Sequence, residues 1–252
     1  QAQASERQVL ASINAVLSNY RGKPMDAVEQ LFAVAEDTLL GYPEMDNYDS
    51  RVAARYWGNL SDAGVSTPPC WPDIKGKRIF AYLRTGIRLH QAALDALQQM
   101  GQPTIVFCPD LPAAVIARYQ APHIVFSRQP LNLEKLAKQA DAAVTYGSQA
   151  TTIGFLLAGK PLLMLPGHLE QFLNARCVEQ MGAGLSVASE TPDPGIAAAL
   201  KQILDEPAYA DNARAFARKY AGISSATIIA NMIRRMEEIL AEHADVRTGA
   251  SP

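Results

Sequence analysis

Short apolar segments alternate with helical segments from Lys75 onward, and this alternation constrains the fold more than any other feature of the chain. Each apolar segment is rich in β-branched or aromatic residues and is unbroken by polar ones, which is typical of a strand buried on both faces of a parallel sheet. Alternating strands and helices predict an α/β fold with a doubly wound parallel sheet and right-handed crossovers. The predicted strands are Arg78–Leu83, Thr104–Cys108, His123–Ser127, Ala142–Tyr146, Pro161–Leu165 and Leu185–Val187.

The two ends of the chain are predicted to be helical. Apolar spacing predicts helices over residues 5–20 and 24–40 before the sheet, and over 194–204, 207–221 and 225–243 after it. Prolines and small polar residues over residues 42–75, between the second predicted helix and the first strand, are typical of a linker. We therefore expect a helical segment at residues 1–45, which would be the remnant of another domain if the chain is a fragment. It is followed by a linker at 46–75, a ligand-binding domain at 76–243 and a tail at 244–252.

The last helix carries an apolar stripe at helical spacing, from Ile228 to Leu240. Two interpretations remain open for this stripe. It packs on its own domain, or it docks against a partner domain.

Composition excludes several classes of function. The 252 residues have a formal net charge of −2, which gives no bulk attraction to nucleic acid. No apolar run approaches the ~20 residues of a membrane-spanning helix, so none is expected. The cysteines Cys70, Cys108 and Cys177 lack metal-ligand spacing, which favours a reduced, cytoplasmic protein without a bound metal.

Two turns carry the candidate binding residues. In a sheet of order 3-2-1-4-5-6, ligands bind at the switch between the first and fourth strands, beyond their carboxyl ends. The loop from Arg84 to Gly86 would there face the turn Tyr146–Thr152, where Gly147, Ser148, Gln149 and Thr151 begin a helix. Free N–H groups and the helix dipole favour phosphate at such a helix start, and Arg84 adds positive charge.

A second turn lies beyond the fifth strand. It ends in Glu170 and Gln171, which begin the next helix. Carboxylate and amide groups suit sugar hydroxyls, which both donate and accept hydrogen bonds. His168 stands beside this pair, where a capping or surface role is favoured over catalysis. The segment therefore offers a phosphate site and a polyol site close together, as a nucleotide-sugar pocket requires.

Residues 141–187 resemble the donor-binding half of GT-B glycosyltransferases, above all the bacterial macrolide-type and UDP-glycosyltransferase-like enzymes. The family pattern is His-Gly-Gly-x-x-Ser/Thr, then Gly-x-Pro, then Asp/Glu-Gln-x-x-Asn-Ala. The chain matches it at Gly147, Thr151, Gly159, Pro161, Glu170, Gln171, Asn174 and Ala175.

The resemblance implies a Rossmann-like GT-B C-terminal domain and a role for each matching position. Gly147, Ser148 and Thr151 would hold a diphosphate, Glu170 and Gln171 would bind the donor sugar, and Gln129 would lie against the base. It implies metal-independent transfer from a UDP- or dTDP-type sugar nucleotide to a small-molecule or lipid acceptor. The acceptor site and the catalytic base would come from an N-terminal domain that this chain lacks. The alternative partner is a second copy of the chain in a homo-oligomer. No catalytic residue is assigned.

Departures from the pattern keep other functions open. The usual phosphate-contacting His is Tyr146, the second Gly is Ser148, and a downstream Glu found in many relatives is Gly154. A phenol donates a hydrogen bond but carries no positive charge at neutral pH. The alternatives are a non-catalytic nucleotide-sugar binder, or a nucleotide-sugar epimerase or hydrolase on the same fold.

Overall fold

A computed structural model describes residues 2–34, 36–48, 51, 54–60, 67–86, 88–187 and 195–248. Its sheet has six parallel strands in the order β3-β2-β1-β4-β5-β6, which is the predicted order. Each predicted strand is present, with its ends within one residue of the prediction. The strands are β1 Ile79–Tyr82, β2 Thr104–Phe107, β3 Ile124–Ser127, β4 Ala142–Thr145, β5 Leu162–Met164 and β6 Gly184–Ser186.

Helices follow the strands and cover both faces of the sheet. On one face, Ile79 and Val106 of the strands share a buried cluster with Leu94 and Leu200. On the other, Phe80 stacks on Phe155 with parallel rings 5.6 Å apart. Apolar cover on both faces is why the strands are continuously apolar. The helices are α1 Ala2–Asn19, α2 His90–Met100, α3 Ala113–Arg118, α4 Leu133–Gln139, α5 Gln149–Leu157, α6 Leu169–Gln180, α7 Ile196–Asp205, α8 Pro207–Lys219 and α9 Ser225–Thr248.

The helix predicted over residues 24–40 is wrong. The described part of this segment contains only a 3-10 helix, Val28–Phe32. The side chain of Asn14 accepts the Met25 N–H at 2.8 Å and donates to the Met25 carbonyl at 2.9 Å, so this carbonyl has a partner other than a helical N–H. Phe32 is 72% exposed, so a helix here would also lack the buried face that stabilises most helices in proteins.

The chain divides into two compact units. The smaller comprises Gln1–Leu39, Ala53–Arg55 and Asn231–Pro252, and contains an ion pair between Arg235 Nε and Glu36 Oε2 at 2.6 Å. The larger comprises Leu40–Val52 and Tyr56–Ala230, and holds the whole sheet.

Part of the segment around the predicted linker packs into the larger unit. Tyr42 and Met45 are buried in the core cluster of that unit, and Trp71 donates its indole N–H to Gln139 at 2.8 Å. A linker-like composition therefore does not prevent specific packing here. The predicted domain boundaries stay a prediction, and the end of the predicted tail beyond Thr248 lies outside the described residues.

The apolar stripe of α9 is buried at its start only. Ile228 is 2% exposed, whereas Ile229, Ile233, Met236 and Leu240 are each exposed by 46% or more. Within the described chain, no helix is both long and apolar enough to cross a membrane.

Candidate functional site

The site lies at the switch point of the sheet, where β1 pairs with β2 on one side and with β4 on the other. Tyr82 and Thr145 end these strands in register, so the loops that follow them start side by side. In open parallel sheets this is where ligands bind. The sequence order of strands and helices therefore places a crevice at this edge.

A cavity of about 330 Å³ occupies this crevice. It brings together residues from the loop after β1, the turn after β4 and the start of α6, as the sequence predicted for Arg84, Tyr146 and Gln171. Of the other predicted residues, none lines the cavity, although most stand within a few residues of one that does. The lining residues are Arg84, Gly86, Tyr146, Gly167, His168 and Gln171.

The turn after β4 depends on Gly147. Its φ of +91° is one that side-chain-bearing residues rarely adopt, and a Cβ would lie 3.2 Å from the Gln171 carbonyl oxygen and from Met164 Cε. The Thr145 hydroxyl accepts the Gly147 N–H at 3.2 Å. The side-chain amide of Asn174, on α6, donates to the Gly147 carbonyl at 3.1 Å. The turn is therefore fixed from its own strand, β4, and from α6.

The hydroxyl of Ser148 is not used as a helix cap. Ser148 occupies the N-cap position of α5 but makes no side-chain capping bond, and its Oγ is buried without a partner that meets hydrogen-bond geometry. Buried polar groups are normally satisfied. The first N–H groups of α5 and this hydroxyl therefore remain available to an acceptor. Thr151, one turn into the helix, is 6% exposed.

The charge at the cavity comes from Arg84, which is exposed. A hydrogen bond with Tyr82 raises the pKa of its guanidinium, so it stays cationic. Tyr146 is neutral, because burial and then the neighbouring Tyr82 hydroxyl raise its pKa to about 12, outweighing the opposite effects of Ser148 and Arg84. The rings of Tyr82 and Tyr146 lie 4.8 Å apart in an edge-to-face arrangement.

The start of α6 presents an amide. Gln171 is 7% exposed and its Oε1 accepts the Gly167 N–H at 2.8 Å. Only its Nε2 is then left to donate to a ligand. His168 is the N-cap residue of α6 and, like Gly167, lines the cavity. Glu170 is exposed beside it. One helix start therefore offers a donor and a carboxylate next to the turn after β4.

Among the predicted site residues, Gln129 lies farthest from the switch point of the sheet, because it follows the edge strand β3. It follows β3, two strands away from β1, and its carbonyl accepts the Ser127 hydroxyl at 2.8 Å. Gln149 is exposed on the first turn of α5. The binding roles of all the predicted site residues stay predictions, and Gln129, Gln149 and Glu170 also lie outside the cavity lining.

Sequence reasoning gave no role to Asn174 or Asp110. Asn174 belongs to a matched motif, which signalled its position but not its contact with Gly147. Asp110 accepts hydrogen bonds from Thr85, 25 residues away, and no local pattern marks such a pair. Among the described residues, no group of three or more His, Cys, Asp or Glu side chains could hold a metal ion.

The fold and the cavity define a Rossmann-like ligand-binding domain of the GT-B type. Residues 93–236 match the family described as erythromycin biosynthesis protein CIII-like, C-terminal domain. The chain therefore belongs to the EryCIII-like family, as the C-terminal domain of its members.

Relatives and solved structures agree with this assignment. A PGL/p-HBAD biosynthesis glycosyltransferase of Mycobacterium tuberculosis is 29% identical over 206 residues, which cover 76% of this chain and 46% of the relative. A PGL/p-HBAD biosynthesis rhamnosyltransferase of Mycobacterium bovis is 30% identical over 224 residues, which cover 83% of this chain and 48% of the relative. The chain thus spans about half the length of these curated relatives.

The fold is also that of the glycosyltransferase VinC, solved in complex with dTDP. The two align with a TM-score of 0.71 and 19% identity, over 90% of this chain and 58% of VinC. At this identity the likeness establishes the fold alone.

Proposed function

We propose that this chain binds a nucleotide-diphosphate sugar and acts as the donor half of a glycosyltransferase. The observation that carries the proposal is the cavity at the switch point, where Arg84, Tyr146 and Gln171 converge from three separate elements. The family assignment and the names of the relatives support the same activity.

The diphosphate would occupy the turn after β4. There the N-terminal N–H groups of α5, the buried Ser148 hydroxyl and the Arg84 guanidinium supply donors and positive charge. Transfer leaves the nucleoside diphosphate with additional negative charge on its leaving oxygen. Donors fixed in advance stabilise that charge without reorganisation, and they do so without a metal.

The sugar would lie against the start of α6. The Gln171 Nε2 amino group supplies a donor there, while Oε1 accepts the Gly167 N–H and holds the side chain in place. Glu170 and His168 flank it and supply an acceptor and a further polar group. Hydroxyl groups on a hexose need this mixture of donors and acceptors.

The reaction would be a direct displacement at the anomeric carbon. An acceptor oxygen attacks that carbon, the bond to the diphosphate oxygen breaks on the opposite face, and the configuration inverts. The acceptor proton passes to a base outside this chain's cavity lining. We assign the acceptor site, for a small molecule or lipid, to the further half that the curated relatives possess.

The donor is proposed to carry thymidine or uridine. VinC was solved with dTDP, and one relative is named a rhamnosyltransferase. The first name supports a pyrimidine nucleoside diphosphate, and the second supports a deoxyhexose as the sugar.

A non-catalytic nucleotide-sugar binder is the second candidate. It is favoured by Tyr146, which stands where the family's usual His would be and whose phenol carries no positive charge at neutral pH. Such a site would bind the donor but stabilise the departing diphosphate less.

Calorimetric titration of the purified chain with UDP, dTDP and GDP, followed by their sugar conjugates, tests the proposal. We expect one pyrimidine diphosphate to bind and its sugar conjugate to bind with a different affinity. Absence of binding by every nucleotide would reject the donor role. Transfer assays with the chain joined to an acceptor-binding half then separate the enzyme from the passive binder.

A further inference from the structure

We propose that Asp110 is a positioning residue, which holds the loop at 84–86 in the geometry that lines the cavity. The inference rests on the proposed donor function, because the loop matters only if the cavity binds a ligand. It adds a residue from a third strand end, after β2, to a site otherwise built from the ends of β1 and β4 and the start of α6.

Two hydrogen bonds of the Asp110 carboxylate go to the same residue, Thr85. Its Oδ2 accepts the Thr85 hydroxyl at 2.6 Å and the Thr85 backbone N–H at 3.2 Å. The short hydroxyl contact is typical of a hydrogen bond to a charged acceptor. One carboxylate oxygen therefore fixes both the main chain and the side chain of Thr85.

Thr85 stands between two residues of the cavity wall. Arg84 precedes it and Gly86 follows it, and both line the cavity. The loop leaves β1 through Leu83, whose N–H is held by the Phe107 carbonyl at 3.0 Å. Beyond that point the hydrogen bonds to Asp110 are the ones that tie the middle of the loop to the end of β2. Losing them would loosen the backbone that carries Arg84 and Gly86, while the Arg84 side chain keeps its hydrogen bond with Tyr82.

Asp110 is itself held in place. Its Oδ1 accepts the Cys108 thiol at 3.4 Å, and the Leu111 N–H bonds the Cys108 carbonyl at 3.2 Å. Both carboxylate oxygens therefore accept hydrogen bonds from the protein, Oδ2 from Thr85 and Oδ1 from Cys108. A carboxylate free to face the cavity would instead repel a diphosphate.

The chain contains a matched control at the other end of the sheet. Asp141 Oδ2 accepts the Arg78 N–H at 2.8 Å, just before β1 begins. This is again a carboxylate that ties down the backbone at one end of β1, but neither residue lines the cavity. Removing Asp141 should weaken the fold without altering the ligand site.

The test compares Asp110→Ala, Asp110→Asn, Thr85→Val and Asp141→Ala by titration with dTDP and UDP. We expect Asp110→Ala to weaken binding about tenfold or more, since it removes both hydrogen bonds to Thr85 and the loss of even one charged hydrogen bond has effects of this order. Asp110→Asn keeps an oxygen that accepts from Thr85, so it should stay within about threefold of the wild type. The double variant Asp110→Ala with Thr85→Val should lose less than the product of the single losses, because both remove the same contact.

Three outcomes would overturn the proposal. Asp110→Ala could bind as the wild type does. Asp110→Ala and Asp110→Asn could both bind more tightly, which would mean that Asp110 acts by its charge. Asp141→Ala could lose as much affinity, which would mean that any lost anchor of β1 has this effect.

Hydrogen exchange at the Thr85 amide gives a readout that needs no ligand. We expect fast exchange in Asp110→Ala and protection in the wild type and Asp110→Asn. If the wild-type chain binds no nucleotide, the donor function fails, and the exchange rates still decide whether Asp110 holds the loop. An unprotected Thr85 amide in the wild type would overturn the positioning role itself.

Discussion

The side chain of Asn174 holds the carbonyl of Gly147, 27 residues earlier in the chain, through a buried hydrogen bond of 3.1 Å. This contact links the turn after β4 to the middle of α6, the helix that also carries Gln171. The turn after β4 and α6 are therefore tied to each other by a direct hydrogen bond. The family motif that ends in Asn-Ala has a structural reason here.

Replacing Asn174 with Ala should weaken both the fold and the nucleotide site. The Gly147 carbonyl would lose its buried partner, a loss of about 1–3 kcal/mol in the free energy of unfolding. Asn212→Ala is the matched control, because Asn212 donates to the Gly182 carbonyl at the same 3.1 Å but is exposed and away from the cavity. Denaturant unfolding and dTDP titration should show a loss of affinity for Asn174→Ala alone. Equal affinities for the two variants would contradict the link.

Gly147→Ala should abolish nucleotide binding. The φ of +91° costs a side-chain-bearing residue about 1–3 kcal/mol, and the new Cβ would press on Gln171 and Met164. Gly101→Ala separates these effects, since Gly101 also has a positive φ of +62° but open space around its Cβ position. We expect Gly101→Ala to lower thermal stability and leave dTDP affinity unchanged. If Gly147→Ala still bound dTDP normally, the turn would not be the phosphate site.

Gln171 should discriminate between a sugar nucleotide and the free diphosphate. Gln171→Ala removes the Nε2 donor and the Oε1 acceptor, whereas Gln171→Glu keeps an acceptor for the Gly167 N–H. The added charge of Glu acts on the diphosphate of both ligands, so it cancels in the ratio of their affinities. Both variants should lose the affinity difference between dTDP and its sugar conjugate, as measured by calorimetry. A ratio that survives in Gln171→Glu would remove Nε2 from sugar recognition.

The sheet could be predicted from sequence because its strands are buried on both faces. A strand with that environment must be apolar throughout, and such runs are visible without knowledge of any partner. The prediction of a helix over residues 24–40 was wrong because this segment is not defined by burial in the sheet. Its conformation depends on the Asn14 side chain and on a face that stays exposed, neither of which a local pattern contains.

The candidate site was predictable where strand ends and helix starts define it. Arg84, Tyr146 and Gln171 follow from their places beside elements of known order, and all three line the cavity. Contacts between distant side chains were not predictable. The bonds from Asp110 to Thr85 and from Asn174 to Gly147 join residues 25 and 27 positions apart, and their partners are chosen by the packed structure.

Arg84 should supply the attraction for the diphosphate. Arg84→Ala is expected to lower dTDP affinity about tenfold and to make binding less sensitive to salt, because a cation near phosphate acts through a screened charge. Arg84→Lys should recover part of the loss. Arg118→Ala serves as a control, since Arg118 stacks on Tyr119 and does not line the cavity. An unchanged salt dependence in Arg84→Ala would place the cationic site elsewhere.

Tyr146 should make the fold sensitive to alkaline pH. Burial and the Tyr82 hydroxyl raise its pKa from 10.0 to about 12, so the unfolded chain ionises this phenol at lower pH than the folded chain. Stability is therefore fully present below pH 10 and falls as pH rises toward 12. Tyr146→Phe removes this contribution, and denaturant unfolding across that window should give a shallower decline.

Tyr220→Phe provides the control for Tyr146. Burial and then the hydrogen bond with Glu44 raise the pKa of Tyr220 to about 12 as well, but Tyr220 lies outside the cavity lining. Both variants should flatten the alkaline decline. A bound diphosphate would add negative charge beside Tyr146 and delay its ionisation further, so saturating dTDP should shift the phenolate absorbance titration in the wild type and in Tyr220→Phe, but not in Tyr146→Phe. A shift that persists in Tyr146→Phe would separate this phenol from the phosphate site.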